Sequence, residues 1–139
     1  MLIVQTAISA ESFKTFIAAL KTARLIDSLN QPGPFTVFAP HDDAFAKLPV
    51  GTLERLLKDK DHLASILTYH ILQGELMIKD IETIQNAKTI QGEDVTFTVI
   101  KGTIMINDAK VIQPDIVCSN GFIHVIDTLL IPKQDKIVY

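Results

Sequence analysis

The chain has 139 residues, with 13 basic and 16 acidic side chains and a formal net charge of -3. That balance speaks against a basic nucleic-acid footprint and against a polybasic membrane anchor. At 47% hydrophobic and 21% charged it reads as one ordinary globular domain, and its single Cys118 excludes a disulfide framework or a multi-cysteine zinc site.

Met1 to Ala7 is apolar but lacks a basic flank and is too short for a signal peptide. The first strong periodicity is Phe13, Phe16, Ile17 and Leu20, one face of a helix over 11–22, with Ser9 or Ser12 placed to cap it. The turn cluster Gln31-Pro32-Gly33-Pro34 precedes a strand over 35–39, which Pro40 closes. Asp42-Asp43 opens a short helix through Ala44, Phe45 and Leu48, its acids near the positive helix end. Leu53, Leu56 and Leu57 give a second short face. Leu63, Ile66, Leu67, His70 and Ile71 give a third, a helix over 61–72 capped by Asp59 or Asp61 and ended by Gly74.

Beyond residue 75 the pattern turns to β. Val95, Phe97 and Val99 alternate with Thr96 and Thr98 in a strand over 94–100. Lys101-Gly102 connects it to a strand over 103–107, and Asn107-Asp108 turns the chain into Lys110-Val111-Ile112. Asn120-Gly121 is the strongest hairpin signal, predicting a type I′ turn into a strand over 121–127. That last strand is apolar on both faces apart from His124, so it should be covered on both sides. Pro132 ends the apolar run, leaving a core of about 2–132 and a polar tail, 133–139. No stretch approaches the roughly 20 apolar residues needed to span a bilayer, and the pattern is α+β in a single domain spanning 1–139.

Catalytic and metal chemistry find little footing. No G-x-S-x-G occurs. Ser119, His124 and Asp127 are a weak triad candidate, since a regular strand would turn His124 and Asp127 to opposite faces. Cys118 has no basic neighbour to form a thiolate and reads as a buried inert thiol. His41, His62, His70 and His124 share no ligand spacing, so no metal is expected. His41 reads as an exposed residue at a helix start, with Asp42 or Asp43 as the cap. The glycines are isolated, so no phosphate cradle or other cofactor site is expected. His70 falls on an apolar helix face and reads as a hydrogen-bonded core residue. Tyr69 beside it is expected to cover a sheet edge, with the 121–127 strand as the surface both meet.

Three segments carry a family resemblance. Thr36-Val37-Phe38-Ala39-Pro40 with Asp42-Asp43-Ala44-Phe45 resembles the first box of fasciclin (FAS1) domains. Leu67-Thr68-Tyr69-His70-Ile71-Leu72 resembles the family's tyrosine–histidine motif, and Asn120-Gly121-Phe122-Ile123-His124-Val125-Ile126-Asp127 its second box. All three stand in family order over nearly the whole chain. The resemblance implies a wedge of two mainly antiparallel sheets, sandwich-like, with helices packed at one end. It implies a non-catalytic adhesion module that binds a protein or a surface polymer. It also implies an extracellular, matrix, cell-surface or periplasmic location. It makes Thr36, Phe38, Pro40, Asp42, Phe45, Asn120, Gly121, His124 and Asp127 motif residues. Asp115 and Ile116, in the place of an Asp-Ile pair linked to integrin binding in animal members, become adhesion candidates together with Tyr69 and His70. His41 departs from the pattern, standing where the family has a small hydroxyl residue. No leader is visible, which fits a trimmed form or a cytoplasmic relative. The rival readings are a carrier with an apolar pocket between helices and sheets, and a hydrolase built on Ser119, His124 and Asp127. Nothing in the sequence names the partner or sets the oligomeric state.

Overall fold

The apolar N-terminus folds as a helix that the sequence reading left out. In the computed structural model, which describes residues 1–132, α1 spans Ile3–Ala10 and buries Ile3, Val4 and Ala7. The Gln5 side chain closes its first turn by accepting from the Leu2 N–H at 3.0 Å. Helix α2, Lys14–Thr22, begins later than expected and has no serine cap. Ser9 lies inside α1, and the Ser12 hydroxyl donates to the Ala10 carbonyl. The cap comes instead from a distant side chain: Asp42 Oδ1 accepts from the Thr15 N–H at 2.9 Å. A short α3, Ile26–Leu29, leads to strand β1, Phe35–Pro40, buried along its whole length.

Helices α4 (Asp42–Ala46), α5 (Thr52–Lys58) and α6 (Lys60–Thr68) follow. Asp59 caps α6, accepting from the His62 N–H. The helix stops well short of residue 72. Ile71 sits four residues after Leu67 and so fits a helical face, but pairing with Val37 of β1 wins, and Ile71–Gln73 forms strand β2. Gly74 turns the chain after β2, at a φ of 101°, rather than ending the helix.

The remaining elements are α7 (Ile78–Ile81), β3 (Asn86–Lys88), β4 (Asp94–Ile100), β5 (Thr103–Ile106), β6 (Ala109–Cys118) and β7 (Gly121–Ile126). The strands form one sheet in the order β2-β1-β7-β6-β5-β4-β3. This corrects the expected pair of sheets. The pairings are antiparallel except that β1 runs parallel to β7, from Phe35 opposite Gly121 to Pro40 opposite Ile126. Such a parallel pair needs a long crossover, and here α4 to α7 and five strands supply it. The expected polar tail lies outside the described residues.

Central strands β1 and β7 are covered on both faces, as the two-sided apolar pattern of β7 requires. Val37, Ala39, Ile123 and Val125 point into a core with Phe16, Leu20 and Ile66 from the helices. Phe38 and Ile126 point the other way, into a second core with Phe97, Ile104, Ile106 and Leu130. The β6–β7 connection also differs from expectation. Cys118 pairs with Gly121, so Ser119 and Asn120 form the two-residue turn, and neither has a positive φ. Glycine is needed at 121 because β1 passes so closely: a Cβ there, at a φ of 151°, would fall inside the Phe35 carbonyl.

Candidate functional site

The three motifs meet around β1 and β7, and their polar groups are bonded to backbone from distant parts of the chain. Thr36, fully buried on β1, donates to the Gly74 carbonyl at 2.7 Å and accepts from the Leu76 N–H at 2.9 Å. It thereby pins the loop after β2. Phe38 stacks on His124, with ring centroids 5.9 Å apart, and meets Phe97 edge-on. Pro40 ends β1 opposite Ile126, and Phe45 of α4 is buried in the helical core. His41, half-buried rather than exposed, is the α4 cap: its Nδ1 accepts from the Ala44 N–H at 3.1 Å. The imidazole thus supplies the acceptor that a small hydroxyl would offer at a helix start. Asp42 is not that cap, since its Oδ1 serves α2.

Tyr69 and His70 do not lie within α6; they close it. His70 Nδ1 donates to the Ile66 carbonyl at 2.8 Å, and Nε2 accepts from the Leu130 N–H at 2.9 Å. One neutral tautomer satisfies both bonds. Burial drives its pKa down to about 4, outweighing the opposite pull of the Ile66 carbonyl. The Tyr69 hydroxyl donates to the Asp94 carbonyl at 2.8 Å and accepts from Asn107 Nδ2 at 2.9 Å. Burial raises its pKa, with the Asn107 bond opposing. The polar partners of the pair therefore belong to α6, β4, the turn after β5 and the segment after β7. Tyr69 packs at the same time in the apolar core that holds Ile126 of β7.

Second-box residues do comparable work. Asn120 Oδ1 accepts from the Ile3 N–H, and its Nδ2 donates to the Leu29 and Gln31 carbonyls. One buried amide joins α1, the end of α3 and the β6–β7 turn. Asp127 accepts from the Lys110 N–H and the Thr128 hydroxyl and sits 3.6 Å from Lys47 Nζ. Partial burial pushes its pKa up, but these bonds and the ammonium leave it below the ordinary value.

His124 holds the Asp115 segment. Its Nε2 donates to the Leu76 carbonyl at 2.6 Å, and its Nδ1 accepts from the Asp115 N–H at 3.0 Å. Burial lowers its pKa against the opposing Leu76 carbonyl and Asp115 carboxylate, 3.8 Å away. Asp115 lies where the β6–β7 register shifts, at a φ of 57°, a bulge position in strand β6. Its Oδ1 accepts from the Ile78 N–H at 2.8 Å, at the start of α7. Ile116 is half-buried against the helical core. Ser119, His124 and Asp127 are not assembled as a triad. Both His124 nitrogens are taken by backbone, no hydrogen bond joins it to Ser119 among the described residues, and Asp127 faces Lys110. Cys118 is buried, with Thr6 Oγ1 3.5 Å from its sulfur.

Two of the surface clefts among the described residues stand out. One of about 530 Å³, lined by Tyr69, Lys88, Glu93, Asp94 and Asn107, is polar. The other, about 430 Å³, lies between α1 and α2 over Phe13 and Ile17. The sequence reading missed it, although Lys14, Ala18 and Lys21 at i, i+4 and i+7 already mark one exposed stripe of α2.

The family model described as "Fasciclin domain" matches residues 11–132. The chain belongs to the fasciclin domain family. Protein sll1483 from a Synechocystis strain is 46% identical over 136 residues, covering 96% of this chain and 75% of that protein. The cell surface glycolipoprotein MPB83 of Mycobacterium bovis is 38% identical over 108 residues, 78% of this chain and 48% of that one. A solved FAS1 domain pair from the insect cell adhesion molecule Fasciclin I superposes with a TM-score of 0.84, at 24% identity, over 99% of this chain and 53% of that chain. That likeness fixes the fasciclin fold.

Proposed function

We propose that this fasciclin domain is a non-catalytic interaction module that binds a protein or a polymer at a cell surface or in the periplasm. The observation that carries the reading is the employment of the motif side chains. His70, His124, Asp115 and Asn120 bond the distant backbone groups of Leu130, Leu76, Ile78 and Leu29, so the conspicuous chemistry of the chain serves a rigid scaffold. A rigid scaffold suits recognition because little conformational entropy is lost on binding. Its relatives agree in kind: one is a cell surface glycolipoprotein, and the solved domain pair belongs to a cell adhesion molecule. No helix among the described residues is long and apolar enough to cross a membrane, and binding in this reading needs no cofactor.

The test is adhesion of beads carrying the chain to cells of its source, with surface protein or surface polysaccharide removed enzymatically in parallel. Saturable adhesion lost in one treatment supports the reading and identifies the partner class. Adhesion no greater than that of albumin-coated beads overturns it.

A further inference from the structure

We propose that the groove between α1 and α2 is a docking site for an acidic peptide segment of a partner protein, anchored by an apolar side chain. The proposal rests on the interaction-module reading and adds a place and a partner chemistry to it. The floor of the groove is apolar, made by Phe13 and Ile17. On the α1 wall Ile8 leaves 53% of its surface in solvent, on a helix whose other isoleucine, Ile3, is buried. On the α2 wall Lys14 and Lys21 stand seven residues apart on one helical face, about 10 Å along the axis. Ala18 lies between them, and its small side chain leaves room for an incoming one.

The two ammonium groups carry the choice of partner. Neither lysine has an ion-pair or hydrogen-bond partner for its side chain among the described residues. Glu11 is the one acid on the rim, so the groove keeps a net positive charge in a chain whose formal net charge is -3. An apolar side chain in the groove with carboxylates reaching Lys14 and Lys21 satisfies floor and rim together, as helix-in-groove recognition does elsewhere. Opposite charges at the rim set the partner and the encounter rate more than the affinity. The groove is neither an enclosed cavity nor a flat surface, which fits a peptide segment better than a fully enclosed small molecule.

The experiment is selection of 16-residue peptides from a random display library against the intact chain, followed by fluorescence anisotropy of the winners. Variants Ala18→Glu and Lys14→Glu/Lys21→Glu test the groove, and Lys79→Glu on α7 serves as the charge control. All three positions of the groove variants are exposed, and thermal melts check that each variant folds. The expected winners carry acidic residues around one or two apolar anchors, bind at least tenfold more weakly to both groove variants, and bind normally to Lys79→Glu. Their affinity falls as salt rises. Enrichment without acidic residues, binding indifferent to Ala18→Glu, no enrichment at all, or displacement of the winners by dodecanoate at equal occupancy overturns the proposal. A chain that still adheres to cells under any of those results keeps its role as an interaction module and loses only this site.

Discussion

Replacing His70 by alanine removes an imidazole that is fully buried and bonded at both nitrogens. The Leu130 N–H loses its acceptor and the Ile66 carbonyl its donor, each in a place water does not reach. An orphaned buried group costs about 1–3 kcal/mol, and the void beside Phe16, whose ring lies 6.2 Å from the imidazole centroid, adds to it. A loss of about 3–4 kcal/mol follows, or a fall in Tm of about 10 °C for a domain of this size. The variant also changes the response to acid. His70 titrates at about 4 in the folded chain against an ordinary 6.5, so the unfolded chain takes up the proton first. The stability tied to this residue is whole above 6.5 and is lost as pH falls from there toward 4. At about pH 5 the loss is about 2 kcal/mol. Thermal melts of both proteins from neutral pH to about pH 4.5 measure this directly. The wild type should weaken steeply on acidification; His70→Ala should start lower and weaken less, its remaining slope including that of His124, whose pKa burial also lowers. A His70→Ala protein melting within about 2 °C of wild type, or one with an unchanged acid slope, refutes the reasoning.

Asp115→Ala should cost about 1 kcal/mol by uncapping α7, as the loss of a helix cap does, whereas Asp115→Asn keeps an acceptor for the Ile78 N–H and should match the wild-type urea midpoint. Gly121→Ala combines a positive φ with a Cβ inside the Phe35 carbonyl, so soluble folded protein should be lost, as size-exclusion chromatography would register. Tyr69→Phe deletes the hydroxyl between the Asp94 carbonyl and Asn107 and should lower stability by about 1 kcal/mol with the fold intact, read from a urea melt and a circular dichroism spectrum.

Local signals carried much of the fold. Pro34 and Pro40 bracket β1, and strict alternation marks β4, observed over the expected residues. What the sequence hid was mostly long-range. Helix α1 has no serine or aspartate cap and starts with a Gln5 contact that composition does not announce. Strand β2 is three residues whose spacing also fits a helix, and only β1 decides between them. The Lys110-Val111-Ile112 run that the sequence marks is only the first part of strand β6, which also takes in Pro114 and Asp115. The strand runs to Cys118 with irregular register, which tolerates both residues. The parallel β1–β7 pair joins residues more than 80 positions apart and leaves no local trace.

The site was legible in part for the same reason. The inward turn of His70 could be read from its apolar neighbours, but its partner Leu130 is 60 residues away. The His41 cap was misassigned to its aspartate neighbours, since an imidazole is not an ordinary choice at a helix start. Asp42 meanwhile serves a helix 27 residues upstream.

The central claim is that the motif residues build the scaffold and that binding belongs to its surface. Bead adhesion measured at low temperature, where His70→Ala and Asp115→Ala are still folded by circular dichroism, tests it most directly. The account predicts adhesion equal to wild type at equal folded fraction for both variants. A fully folded Asp115→Ala or His70→Ala protein that no longer adheres would contradict it.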